Sequence, residues 1–173
     1  RLKKINHKKR LFNKDLNGGS ILDGGIYPVS LIVDILSQYD ANFIKDIKIN
    51  NCVKNFSKGV DLSSKLSCSF KNTKIEIKTS LLEKLNNNLE IYTNEKIIKL
   101  QNIFNISSDS LMIFNENKDV KIIKNNYGKS AYYYEIEKIS NLLIKNFKVN
   151  NKFIKSLDKI EKNIKLLSKW TEC

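Results

Sequence analysis

The sequence predicts an α+β fold, an open and mainly antiparallel mixed sheet with helices gathered on one face. Three features predict it. A glycine-rich apolar segment with helical spacing comes first, a long series of short alternating runs follows with no helix between them, and two helical stripes come last. With 173 residues, 41% of them hydrophobic and 28% charged, the chain is of a size to bury one ordinary core, so a single domain over 1–173 is expected.

The chain begins RLKKINHKKR, which reads as a strand-like segment over Arg1 to Arg10 and, with no starting Met, as the beginning of a cut chain. From Gly18 to Gln38 apolar residues recur at helical spacing but are interrupted by Gly24, Gly25 and Pro28. This predicts a short helix over Ser20 to Gly24 and a second one starting near Pro28, whose missing N–H is harmless in a first turn. Alternation then takes over at Ile47 and Ile49, and most clearly through Val60, Leu62, Leu66, Cys68 and Phe70, the mark of half-buried strands. Ile75 and Ile77, Leu89 and Ile91, Ile97 to Leu100, Leu111 to Phe114 and Val120 to Ile123 continue it, with Asn-, Lys- and Asp-rich turns between the runs. Strands this closely spaced pair antiparallel. Two stripes close the chain: Tyr132, Ile136, Ile139, Leu143 and Phe147, then Ile154, Leu157, Ile160, Ile164 and Leu167.

The formal charge of +13, from 31 Lys and Arg against 18 Asp and Glu, is almost wholly lysine scattered among Asn and Ile. Arginine occurs only at Arg1 and Arg10. Nucleic-acid readers gather Arg forks and aromatic rings on one face, and no such cluster exists here, so no nucleic-acid partner is expected. Cys52, Cys68 and Cys173 are odd in number and lack a CxxC spacing, which predicts neither a disulfide framework nor a zinc site and fits a reducing cytoplasm. No uncharged apolar run approaches the ~18 residues of a membrane span, so no membrane partner is expected.

Gly18 to Pro28 packs four glycines, one carboxylate and one phenol into eleven residues. Such glycines admit close approach of another backbone or a ligand. Asp23 and Tyr27 are four apart and share a face if the segment stays helical. A phenol can take or give a hydroxyl proton once a cation lowers its pKa from ~10, and a neighbouring carboxylate can hold the same hydroxyl. Spacing alone favours the plainer reading, in which Asp23 caps a helix and Tyr27 sits in the core.

The segment GGSILDGGIYPVSL resembles the signature that opens the C-terminal domain of Gfo/Idh/MocA oxidoreductases, GGxLxDxGxHxxxL or GGxLxDxGxYxxxL, through Gly18, Gly19, Ile21, Leu22, Asp23, Gly25, Tyr27 and Leu31. The order of strands and a following helix agrees, and the likeness covers essentially the whole chain. The resemblance implies a C-terminal domain like that of glyceraldehyde-3-phosphate dehydrogenase, following a Rossmann domain that binds NAD or NADP and is absent from this chain. It implies that Asp23 contacts the reacting hydroxyl and that Tyr27 is the general acid/base. Tyrosine in place of histidine is similar to the dihydrodiol dehydrogenase and glucose–fructose oxidoreductase branches. The glycine-rich phosphate turn and the catalytic lysine of an EKP-like motif are both missing, and no G-x-G-x-x-G occurs here. These 173 residues alone are therefore expected to be inactive and to bind no cofactor.

Arg10, shortly before the glycine motif, is a candidate contact for a substrate carboxylate or phosphate, against the reading of a surface arginine. His7 stands without ligand-spaced neighbours and no metal is expected. Tyr132, Tyr133 and Tyr134 are expected to pack the first turn of their helix into the core, and Trp170 to staple the C-terminal helix to the sheet or to the missing domain. The leading expectation is a substrate-binding and dimerisation domain of an enzyme that moves hydride between NAD(P) and a hydroxyl of a sugar, polyol or diol, homodimeric through its sheet. The competing expectation is a dimerisation scaffold that has kept the fold and lost catalysis.

Overall fold

The computed structural model describes residues 5–92, 96–100, 103, 110–116, 119–125, 129–144 and 151–173. Its architecture is the α+β class with antiparallel strands that the sequence predicts. The chain divides into two compact units, Arg1–Leu85 with Asn150–Cys173, and Asn86–Val149.

In the first unit three strands, β1 (Lys48–Ser57), β2 (Val60–Phe70) and β3 (Thr73–Ser80), form an antiparallel sheet in that order. Alternation on β2 puts every second residue from Val60 to Phe70 on a buried face, and the register sets Leu66 opposite Cys52 and Ile77, and Cys68 opposite Ile49 and Ile75. That face is covered by α1 (Ile26–Tyr39), the short α2 (Phe43–Asp46) and the end of α4 (Asn151–Glu172). Val29, Val33 and Leu36 of α1, spaced for one helical stripe, meet Leu66, Cys68, Phe70, Ile75 and Ile77 of the sheet and Leu166 and Trp170 of α4 in one core. Each such aliphatic side chain contributes about 1.5–3 kcal/mol of burial. Phe12, Leu62 and Leu81 form a smaller cluster at the side.

In the second unit β4 (Leu89–Tyr92), β5 (Lys96–Leu100), β6 (Ser110–Glu116) and β7 (Asp119–Asn125) make a second antiparallel sheet in chain order, and α3 spans Ala131–Ile144. Every strand expected from alternation is present, paired in two sheets.

Several expectations are corrected. Among its described residues, the opening segment is turn followed by a 3-10 turn at Arg10–Phe12, where a strand was expected; a strand needs a partner edge, and these residues pair with none of the described strands. The two helices expected either side of Gly24–Gly25 are one continuous helix from Ser20 to Tyr39. A π-type turn over Ile21–Gly25 carries it through the glycines. Widening the turn ahead of Pro28 eases the clash between its ring and the carbonyl four residues back, which an unbroken α register would impose. Lys14–Tyr39 contains an 18-residue window of mean hydropathy 1.4, long and apolar enough to cross a membrane by length and composition; here its apolar stripe forms the core.

Tyr132, Tyr133 and Tyr134 are exposed, where core was expected. Tyr133 lies under the Lys129 ammonium and stacks edge-on to Tyr134, so the rings satisfy one another at the surface. On α4 the expected stripe turns outward at Leu157, Ile160 and Ile164, and the inward face is Lys162, Leu166 and Trp170. Lys162 lays its stem along the core and carries its ammonium to Asp158, which is how a charged residue joins a buried face. Phe147 and the Ile154 side chain lie outside the described residues.

Cys52 and Cys173 are joined as a disulfide, with Cα atoms 6.0 Å apart, where no disulfide was expected. The pairing joins positions 121 apart in sequence, so no local spacing announces it. Only the return of α4 along β1 brings the two together.

Candidate functional site

The glycine segment is fixed from the sheet side. The Asp61 carboxylate on β2 accepts the Ser20 hydroxyl at 2.6 Å and the Ile21 backbone N–H at 2.8 Å. A helix leaves its first N–H groups without internal partners, and a carboxylate placed there satisfies them while facing the positive end of the helix dipole. Thr79 on β3 donates its hydroxyl to the Ser20 carbonyl at 2.9 Å, so Ser20, fully buried, is held from two adjacent strands. Gly19 has a φ of 136°, and a Cβ there would run into the Asp61 carboxylate. This is why glycine precedes the clamp.

On the other side, Gly25 lies against Trp170. A Cβ at Gly25 would stand 2.8 Å from the indole ring, closer than any real contact. Trp170 is itself fully buried and donates its indole N–H to the Ser64 hydroxyl on β2 at 2.8 Å. The staple expected of Trp170 is therefore present, and it closes on the glycine segment as well as the sheet.

Between these two supports the π-type turn carries Asp23, with Tyr27 one turn later at the start of α1. Wide turns of this kind recur at functional positions in helices. Asp23 does not cap the helix; its carboxylate forms an ion pair with the Arg10 guanidinium. Arg10 sits on the short turn anchored by buried Phe12, whose carbonyl oxygen lies 2.8 Å from His7 Nδ1. At 56% and 33% exposure the ion pair adds at most about 1 kcal/mol of stability, so its consequence is orientation of the carboxylate. Tyr27 is 59% exposed and so is not a core residue. Arg10 and Asp23 are thus in direct contact, and Tyr27 follows on the same helix.

A hollow of about 230 Å3 on the first sheet is lined by Val53, Asn55, Lys65, Lys78 and Glu83 among others, and by none of Arg10, Asp23 and Tyr27. Among the described residues no three His, Cys, Asp or Glu side chains gather to hold a metal ion. Neither sheet contains a parallel pair, so the described residues have no βαβ turn to cradle a dinucleotide pyrophosphate, and they do not fit a nicotinamide cofactor.

Sequence reasoning missed Asp61, Ser20 and Thr79. The available signal was Asp61 itself, an acidic residue inside an alternating strand, where Asp is a depleted type and needs a reason.

No family model matches the sequence, and no curated protein matches it. In structure the chain is similar to KijD10, a 3-ketoreductase from Actinomadura kijaniata. A tyrosine-to-phenylalanine mutant of that protein, in complex with TDP-benzene and NADP, superposes with a TM-score of 0.75 at 10% identity, covering 96% of this chain and 49% of that one. The complex of KijD10 with NADP and TDP-benzene gives 0.73 at 11% identity over 94% and 48%. An open conformation gives 0.66 at 11% identity over 84% and 44%. The chain therefore has a fold found in an NADP-complexed 3-ketoreductase, and it spans about half the length of the solved structures it matches.

Proposed function

We propose that this chain is the substrate-binding and dimerisation part of an NAD(P)-dependent oxidoreductase of the Gfo/Idh/MocA type, acting on a hydroxyl-bearing or keto carbon of a sugar-like substrate. The observation that carries this reading is the arrangement around the π-type turn. Asp23 is oriented by Arg10, Tyr27 is exposed one turn on, and both stand on a helix clamped by Asp61 and backed by Trp170. The similarity to a 3-ketoreductase complexed with NADP and a TDP derivative supports the substrate class.

Asp23 accepts a hydrogen bond from the substrate hydroxyl and fixes its direction. Tyr27 takes the hydroxyl proton in the oxidative direction or returns it to the oxyanion in the reductive one. Arg10 holds Asp23 in place, and is itself positioned to meet an anionic group of the substrate. NAD or NADP is assigned to a Rossmann domain outside these residues, which would also supply the catalytic lysine. No step is assigned to this chain through the cofactor. A cytoplasmic location accompanies this reading.

Homodimerisation is assigned to the open face of the β1–β3 sheet, where Ser67 and Glu76 and the neighbouring Lys65 and Lys78 offer both signs of charge. Sedimentation at micromolar concentration should show a dimer; a monomer there overturns this assignment.

The test of catalysis is the full-length gene product with NADPH and a nucleotide-linked keto sugar. Asp23→Asn and Tyr27→Phe should each lower kcat by about 10²–10⁴ while leaving the fold intact. Unchanged kcat in both overturns the reading.

A further inference from the structure

We propose that the Cys52–Cys173 disulfide is a reversible clasp on the glycine segment, opened by exchange with a dithiol and closed by the reverse exchange with the disulfide form of that same dithiol. The clasp rests on geometry alone; only its bearing on catalysis rests on the function proposed for Asp23 and Tyr27.

Cys173 immediately follows α4 and is exposed, whereas Cys52 on β1 is half-buried against the core. One sulfur of the bond is thus open to an incoming thiolate. The same end of α4 makes the contacts that reach the glycine segment. Trp170 packs on Gly25 and bonds Ser64, and the Lys54 ammonium, two residues from Cys52, donates to the Thr171 carbonyl at 3.0 Å. Trp170, Thr171 and Cys173 lie within four consecutive residues at the end of α4 and just past it, so the covalent bond and the indole contact are mechanically one support. With the bond broken, the last turn of α4 keeps the Trp170 packing on Gly25, the indole bond to Ser64, and the lysine bonds from Lys169 to the Ile44 carbonyl and from Lys54 to the Thr171 carbonyl. No covalent tie then fixes the residues after Trp170 to β1, and helix ends open locally at low cost.

The chemistry balances without a further partner. A thiolate of a dithiol reductant attacks Cys173 Sγ, the Sγ–Sγ bond breaks, and Cys52 leaves as a thiolate that takes a proton. The second thiol of the reductant then displaces Cys173 from the mixed disulfide, closing the reductant's own disulfide and returning two protein thiols. Cys68, one cross-strand row from Cys52 and opposite Ile75, stays out of the exchange because it is fully buried and its thiol holds its proton.

Trp170 is the sole tryptophan, so the clasp can be read directly. The 173-residue chain is prepared oxidised and reduced, its free thiols are counted by alkylation and mass, and acrylamide quenching of its fluorescence is compared with far-ultraviolet circular dichroism. The expected result is one free thiol oxidised and three reduced, with unchanged secondary structure and a several-fold rise in quenching on reduction. Returning the disulfide form of the dithiol should restore the shielded state. Cys52→Ser should behave as the reduced form under either condition. Three free thiols after exchange with that disulfide form, or equal quenching in the two forms, overturns the proposal. The second outcome leaves the catalytic reading standing, because that reading is tested by Asp23→Asn and Tyr27→Phe.

Discussion

Replacing Asp61 by alanine removes the acceptor that holds the start of the glycine helix. The Ser20 hydroxyl and the Ile21 N–H then lose bonds of 2.6 and 2.8 Å together, in a place where Ser20 is wholly shielded from water. A hydrogen bond to a charged group contributes about 1.5–3 kcal/mol when well buried, and loss of a helix cap costs about 0.5–2 kcal/mol. Because the Asp61 side is only partly buried and the two bonds share one carboxylate, the combined loss is about 2–4 kcal/mol. Urea unfolding followed by Trp170 fluorescence measures it within the unit that contains the clamp, and the midpoint should fall with the slope unchanged. Asp61→Asn keeps one acceptor oxygen and should lose about half as much, and Ser20→Ala, which spares the Ile21 bond, about 1 kcal/mol. An Asp61→Ala protein within about 0.5 kcal/mol of the parent would refute the clamp, since changes of that size are ordinary for surface sites.

Three further outcomes follow from the same geometry. Gly25→Ala forces a Cβ against the Trp170 ring and should cost about 1–3 kcal/mol, with Trp170→Phe recovering part of the loss; circular dichroism melts measure both. Burial pushes the Cys68 thiol up to about 11, so it should resist iodoacetamide in the native protein and react only after unfolding. Because its folded value lies above the ordinary 9.0, the linked stability is whole below that pH and is lost as pH rises from 9.0 toward about 11, which urea midpoints across that range would show.

Strand content was legible because alternation is a physical consequence of a half-buried sheet. Val60, Leu62, Leu66, Cys68 and Phe70 could only face one way, and all of them are buried. The helices were legible in position and less so in orientation. On α4, apolar residues occupy more than one face, and whether Ile160 or Leu166 turns inward depends on the sheet that α4 meets, which no local window contains. The glycine segment was legible as special through its composition. The π-type turn was not, because glycine and proline argue for a break in an α helix, and the wider turn is an alternative that only the surroundings stabilise. Asp61 and Cys173 escaped for one reason: each acts on a residue more than forty positions away, so their roles exist only after folding.

The central claim is that Tyr27, on the helix carrying Asp23, exchanges a proton with a sugar-like substrate during nicotinamide-dependent oxidation or reduction. The measurement that tests it most directly is the nicotinamide absorbance of the full-length product with a nucleotide-linked keto sugar, comparing the parent with Tyr27→Phe. The account predicts turnover by the parent and a loss of about 10²–10⁴ in kcat in the variant, with the fold unchanged because Tyr27 is 59% exposed. Equal turnover in the two proteins would contradict it.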